Sequence, residues 1–183
     1  MREAAELRAA QSLPAALKGK WSTVVVAGIA LAAIVSYAAY RYLAEHRTRR
    51  ISLQDGTVVV LYGRSVVTPV PGFPRPRTVR VNGEALFEAS SADEPMIVTS
   101  RLLRLTVEGS AKFLVMADAA QSGAQVQVIH GALTAEKNYA SPYKEPDHLR
   151  EGEMSMVNIS IDLMEKEHFT AMELPPWVSK APN

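Results

Sequence analysis

One stretch constrains this chain more than any other. Residues 22–40 carry no charge and consist of Val, Ala, Ile, Leu, Gly and Tyr with a few hydroxyls. A soluble amphipathic helix has a polar face, and here only Ser22, Thr23 and Ser36 could supply one. A helix needs roughly 20 apolar residues to cross a hydrocarbon core about 30 Å thick. Trp21 stands at one end of the run and Tyr37, Tyr40 and Tyr42 at the other, where aromatic rings sit at a headgroup interface. A cleaved leader would have a shorter apolar core closed by a small-x-small site; Ala38 and Ala39 are the nearest approach to one, but the run ends in Tyr and Arg. The expectation is a membrane-spanning helix over residues 21–43. Residues 1–20 then form a short tail and residues 44–50 a basic linker. Arg2, Arg8, Lys18 and Lys20 precede the helix, and Arg41, Arg47, Arg49 and Arg50 follow it. The positive-inside rule therefore leaves the orientation open.

Charge separates the chain into two parts. Residues 1–50 hold eight Lys or Arg against three Asp or Glu, and residues 51–183 hold twelve against sixteen. The basic part suits lipid headgroups. The mildly acidic part lacks the basic patch of a nucleic-acid binder. The chain contains no cysteine, which excludes disulfides, thiolate metal sites and a cysteine nucleophile.

From Ile51 onward the pattern shifts to alternating β-branched and polar residues punctuated by turns. Residues 51–54 and 57–61 flank Asp55-Gly56, a pair favoured in type I′ hairpins. Residues 78–81 and 84–90 flank Asn82-Gly83 in the same way. Between these hairpins Pro69, Pro71, Pro74 and Pro76 exclude a central strand and predict an extended loop. Further strands are expected at 96–100, 102–108, 111–116, 124–129, 132–136 and 153–161. Residues 138–150 read as a polar loop. The tail, 162–183, reads as a short helix ending at Pro175-Pro176. The expected architecture over 51–161 is mainly β, a sandwich or roll of many short antiparallel strands preceded by one transmembrane helix.

Individual residues give few chemical leads. His148 lies among Glu145, Asp147, Glu151 and Glu153, a set of oxygen and imidazole donors, but without HExxH or EF-hand spacing. His130 reads as a surface position on a strand. Ser65, Ser100 and Ser110 have no local base, and no Gly-x-Ser-x-Gly elbow, P-loop or dinucleotide fingerprint is present. Asn158-Ile-Ser matches an N-glycosylation pattern. Met154, Met156, Met164 and Met172 read as core filling. No catalytic residue, metal site or cofactor is expected.

Four ordered stretches carry a resemblance. They are Leu53 to Leu61 with Ser65 beyond it; Arg77 to Ala89; Pro95 to Ser100 leading through Leu105 to Val115; and Val126 to Thr134 followed by Leu149 to Glu153. In order and spacing they resemble the FecR domain of bacterial cell-surface signalling proteins. Asp55, Gly56, Arg77, Gly83, Glu84, Phe87, Gly109, Phe113, Gly131 and Gly152 are the motif residues, read as structural. Gly83 is expected to supply positive φ in a turn, and Glu84 to accept backbone hydrogen bonds beside it. Ser110 stands where the family carries Thr.

The resemblance implies a β domain on the periplasmic side of the inner membrane and a cytoplasmic N-terminus. It implies a non-catalytic relay of anti-sigma type. Such a protein couples an outer-membrane TonB-dependent receptor or other envelope protein to a cytoplasmic sigma factor, here through residues 1–20. Lipid is the further implied contact, and nucleic acid is not. Family members usually carry a longer cytoplasmic part and a second small domain, whereas this chain stops soon after Trp177. A second reading is therefore an envelope adaptor without sigma-factor control. In the tail, Leu7, Leu13 and Leu17 are the apolar positions a partner groove could take. A third reading, an envelope enzyme, would need a triad or paired carboxylates in one cleft.

Overall fold

The computed structural model describes residues 28–40 and 47–179. The chain divides into two compact units, residues 1–43 and 44–183. In the first, residues 28–40 form a helix exposed along its whole length. Ile29, Leu31, Ile34, Val35, Tyr37 and Tyr40 each keep more than half their surface open. Among the described residues no helix is long and apolar enough to cross a membrane. The expected 21–43 span extends past the described helix at both ends. The tail, with Leu7, Leu13 and Leu17, and the start of the linker lie outside the described residues.

The second unit is mainly β. Its strands are β1 (Thr48–Ser52), β2 (Val58–Pro69), β3 (Thr78–Ala89), β4 (Met96–Thr99), β5 (Leu103–Val107), β6 (Ala111–Ala117), β7 (Gly123–His130), β8 (Ala132–Lys137), β9 (Asp147–Arg150), β10 (Glu153–Asn158) and β11 (Leu163–His168). A 3-10 turn, Ala171–Glu173, and a helical turn, Pro176–Ser179, follow.

β3 organises the sheet. One of its edges pairs with β2 along nearly its full length. The other edge is shared: Gly83 to Ala89 pair with β6, and Thr78 to Arg80 pair with β4. One wing continues β6-β7-β10-β11 and the other β4-β5-β8-β9. The inner faces of both wings enclose a single core that includes Phe87, Phe113, Val126, Met96, Leu105 and Leu149. The result is a barrel-like roll. β3–β4 is a parallel pair in a domain expected to be antiparallel.

Several expectations are corrected. β1 and β2 do form a hairpin, but residues 53–57 make a five-residue loop between Ser52 and Val58. Gly56 takes φ +83, and among the described non-glycine residues only Asp162 has positive φ. Asp55 therefore cannot take its place in a type I′ turn, which needs positive φ at both central residues. The second hairpin is absent, since β3 runs unbroken through Asn82 and Gly83. Gly83 does adopt positive φ, +98, and uses it in a bulge. Tyr62 pairs with Glu84 and Val66 with Asn82, so Gly63, Arg64 and Ser65 together face Gly83. A bulge of this kind bends a ribbon, and here it lies where β2 and β3 pass from one wing to the other.

The proline segment is a compact turn closed by its own backbone bonds, Phe73 N to Val70 O and Arg75 N to Gly72 O. Its Phe73–Pro74 and Arg75–Pro76 bonds are cis. The expected polar loop contains β9, anchored by Leu149, which is 1% exposed. The expected C-terminal helix is replaced by β11. Asp162 at φ +51 reverses the chain, and Leu163–His168 then pairs with β10. Pairing and turn geometry override the helix propensity of Met164-Glu-Lys-Glu. Charges at Glu165, Lys166 and Glu167 suit an edge strand.

Candidate interaction surface

The motif residues build the scaffold. The Asp55 carboxylate accepts bonds from Thr57 N (3.0 Å), Thr57 Oγ1 (2.9 Å) and Arg77 Nε (3.0 Å). Arg77 also donates to Glu94 O (2.8 Å) and Ser90 O (3.1 Å). Both side chains are nearly inaccessible, 4% and 6% exposed. The pair fastens the β1–β2 loop to the start of β3 and to the loop before β4. Phe87 and Phe113 are register partners on β3 and β6, and their rings stack at 5.1 Å. Gly131, at φ +85, lies against the Gly109-Ser110 turn, where a Cβ would come 3.0 Å from Ala111 Cα. Gly152 takes φ +80 in the β9–β10 turn.

Gly83 and Glu84 lead to the outer surface. Ser65 Oγ donates to the Tyr62 carbonyl and accepts from Glu84 N at 2.7 Å. Among the described residues no backbone N–H donates to the Glu84 side chain, contrary to expectation. Its carboxylate accepts from Trp177 Nε1 at 3.3 Å. The Trp177 ring stacks on Tyr62 at 5.2 Å, and Val178 is buried with Val60, Leu86 and Leu114 in a second cluster.

Strand register explains why the C-terminal segment seats there. On the outer face one row crosses six strands as Val60, Leu86, Leu114, Gln127, Met154 and Glu167. The next row is Tyr62, Glu84, Met116, Gln125, Met156 and Glu165. Trp177 and Val178 occupy the first part of both rows. Beyond them the second row opens into a groove of about 460 Å³, lined also by Ile161 and Leu163. Gln127 is 3% exposed, and its Oε1 has no hydrogen-bond partner among the described residues.

The groove's far rim is held from behind. Lys137 Nζ donates to Asp162 Oδ1 (2.8 Å) and to its carbonyl (2.7 Å); Ser141 Oγ (2.8 Å) and Tyr139 OH (3.0 Å) donate to the same carboxylate. Lys137, with Ser141 and Tyr139, holds the Asp162 carboxyl below its ordinary range. Burial, then the Asp162 carboxylate, push the Tyr139 phenol up to about 12. This network fixes the reversal that turns Ile161 and Leu163 outward, 68% and 44% exposed.

The other candidate residues are dispersed. His148 Nδ1 meets Thr134 Oγ1 at 3.1 Å, Asp147 accepts from Ser155 at 2.7 Å, and Glu151 pairs with His130 at 3.0 Å. The Arg150 backbone N–H, aided by Lys166, keeps Glu153 below its usual value. Among the described residues no group of three or more such donors is placed to hold a metal. Ser100 Oγ accepts from Leu103 N at 2.9 Å inside a turn. Asn158 Oδ1 accepts from Ser160 N at 2.9 Å. The methionines are not uniformly core: Met164 packs on it, Met156 lines the groove, and Met172 is 93% exposed.

A family model described as FecR protein matches residues 42–134, just over half of the chain. The chain belongs to the FecR family. The FecR match ends within β8, so β9, β10, β11 and the Trp177 segment lie beyond it. Two crystal structures of a candidate anti-sigma factor from Parabacteroides distasonis ATCC 8503, at 1.65 and 2.50 Å resolution, are similar to this FecR protein. Each gives a TM-score of 0.64, with 26% and 25% identity. Each alignment covers 73% of this chain and 61% of the other, so the chain spans about three fifths of those proteins' length. No curated protein matches it.

Sequence reasoning missed the Tyr62–Glu84–Trp177 contact and the groove. One available signal was Trp177 itself, a large side chain immediately after the Pro175-Pro176 stop, which an aqueous tail would leave unburied.

Proposed function

We propose that this FecR protein is a non-catalytic, single-pass inner-membrane regulator of anti-sigma type. Its β unit lies in the periplasm and its N-terminus in the cytoplasm. The observation that carries the reading is the FecR match beginning at residue 42, directly after an uncharged apolar run. The described part of that run is helical and apolar on all sides, which suits lipid better than water. The anti-sigma name of the similar Parabacteroides protein points the same way. In this reading the β unit senses a TonB-dependent receptor or another envelope protein, and residues 1–20 act on a sigma factor.

The natural absence of cysteine allows a direct topology test. Ser12→Cys and Ser91→Cys are introduced singly into the full chain. An impermeant thiol reagent applied to intact spheroplasts is expected to label position 91, in the exposed β3–β4 loop, and to spare position 12. Labelling of position 12 alone would reverse the orientation and remove the periplasmic role.

A further inference from the structure

The groove beside Trp177 has features that specify an occupant. Its floor is Met116, Gln125 and Met156, and its apolar rim is Ile161 and Leu163. Ile161 and Leu163 are two of the few large hydrophobic side chains the β unit leaves exposed. Glu84 closes one end and Glu165 the other. Among the described residues the lining holds these two carboxylates and no cation. Thioether side chains adapt to varied apolar shapes, so the floor does not demand one particular residue.

The groove also continues a seat that the chain already fills. Trp177 lies over Tyr62 and donates to Glu84, the first two positions of the same cross-strand row. A donor on Glu84 beside an apolar contact is thus the recognition this face already performs.

From these observations we infer that the groove binds an extended, basic–apolar segment of another protein. Glu84 and Glu165 are separated by four strand spacings, about 19 Å. An extended chain covers that distance in about six residues at roughly 3.3 Å each. Side chains on one face of such a chain recur every second residue. The fitting pattern is a Lys or Arg at each end and two apolar residues between them, all on one face. Its two cations meet Glu84 and Glu165, and its apolar pair lies on Met116 and Met156 between Ile161 and Leu163. Capture of this segment requires neither the membrane span nor a sigma factor. Its failure and the failure of the topology test are therefore separate results.

The test uses the full-length protein in detergent micelles, labelled at methionine methyls, and two heptapeptides. One is Lys-Ser-Leu-Ser-Met-Ser-Lys; the other replaces both Lys by Glu. The basic peptide is expected to shift the Met116 and Met156 resonances saturably, leaving Met172 unmoved, and the acidic peptide to shift none. Glu165→Gln, on an exposed edge, is expected to weaken binding about two- to fivefold, as for a solvent-exposed ion pair. Glu165→Lys is expected to lower affinity for the basic peptide and raise it for the acidic one, a gain that misfolding cannot produce. Equal binding of both peptides would overturn the inference, as would shifts that miss Met116 and Met156. Shifts of these two methyls on concentrating the protein alone would assign the groove to a second copy of the chain and overturn it as well.

Discussion

Arg77 divides its bonds among Asp55, Ser90 and Glu94 while almost fully buried. Removing one partner of a buried pair strands the other charge, at about 3–5 kcal/mol. Arg77→Ala is expected to cost that much in urea unfolding of the full chain. Arg77→Lys is expected to recover little, because an ammonium cannot reproduce the planar fork. At Gly83 a Cβ would meet Ser65 Cβ at 2.8 Å and take an unfavourable φ. Gly83→Ala is therefore expected to destabilise by about 1–3 kcal/mol, and Ser65→Gly to relieve part of that loss in the double variant. The Asp162–Tyr139 contact sets both pH limits of its network. Asp162 is depressed when folded, so its contribution is complete above the ordinary aspartate value and is lost as pH falls through the depressed one. Tyr139 is raised to about 12, so its contribution is complete below the unfolded value of about 10 and is lost as pH rises toward 12. Asp162→Asn, which tolerates the left-handed backbone, is expected to flatten the acid limb of a stability–pH curve. Tyr139→Phe is expected to flatten the alkaline limb.

At the scale of elements, the C-terminal segment is the most informative piece. Among the described residues, Trp177 and Val178 hold it to the sheet by side chains. A buried Trp→Ala change costs about 3–5 kcal/mol; because Trp177 is only half-buried, Trp177→Ala is expected to cost about 2 kcal/mol. It should also expose Leu86 and Leu114, raising the fluorescence of an apolar dye. Unchanged stability and dye binding would mean that the segment does not cover this face in solution. Most strands were legible in the sequence, because inward-facing valines and leucines alternate with polar residues, as in β7. The core pair Phe87–Phe113 also fell within the strands read from the sequence. The Asn82-Gly83 hairpin misled because Asn-Gly signals positive φ without saying whether the chain turns or bulges; only the pairing partner, Gly63 to Ser65, decides that. β11 was hidden because its residues favour helix locally and gain their strand from β10. The groove was illegible for the same reason: its floor is assembled by register across β6, β7 and β10, and no local pattern encodes that.

At the scale of the molecule, the chain joins two units of opposite character. One is an uncharged helical run that offers apolar surface on every side. The other is an acidic β roll whose core is complete and whose outer face carries a filled seat and an open groove. The FecR match covers β1 through the first half of β8, and so takes in the wing-switching strands and the Asp55–Arg77 anchor. The groove draws half of its lining from β10, β11 and their connection, beyond that match, and so is where this chain would acquire its own partner. The proposed function requires that an envelope-side event reach a cytoplasmic sigma factor through this single chain. The most direct measurement is a cross-linked pull-down of the full-length protein from its native membrane, read by mass spectrometry beside a variant lacking residues 2–17. A sigma factor is expected to be recovered with the full chain and lost with the deletion, while envelope partners are recovered with both. Envelope proteins alone, in the same set from both, would contradict it.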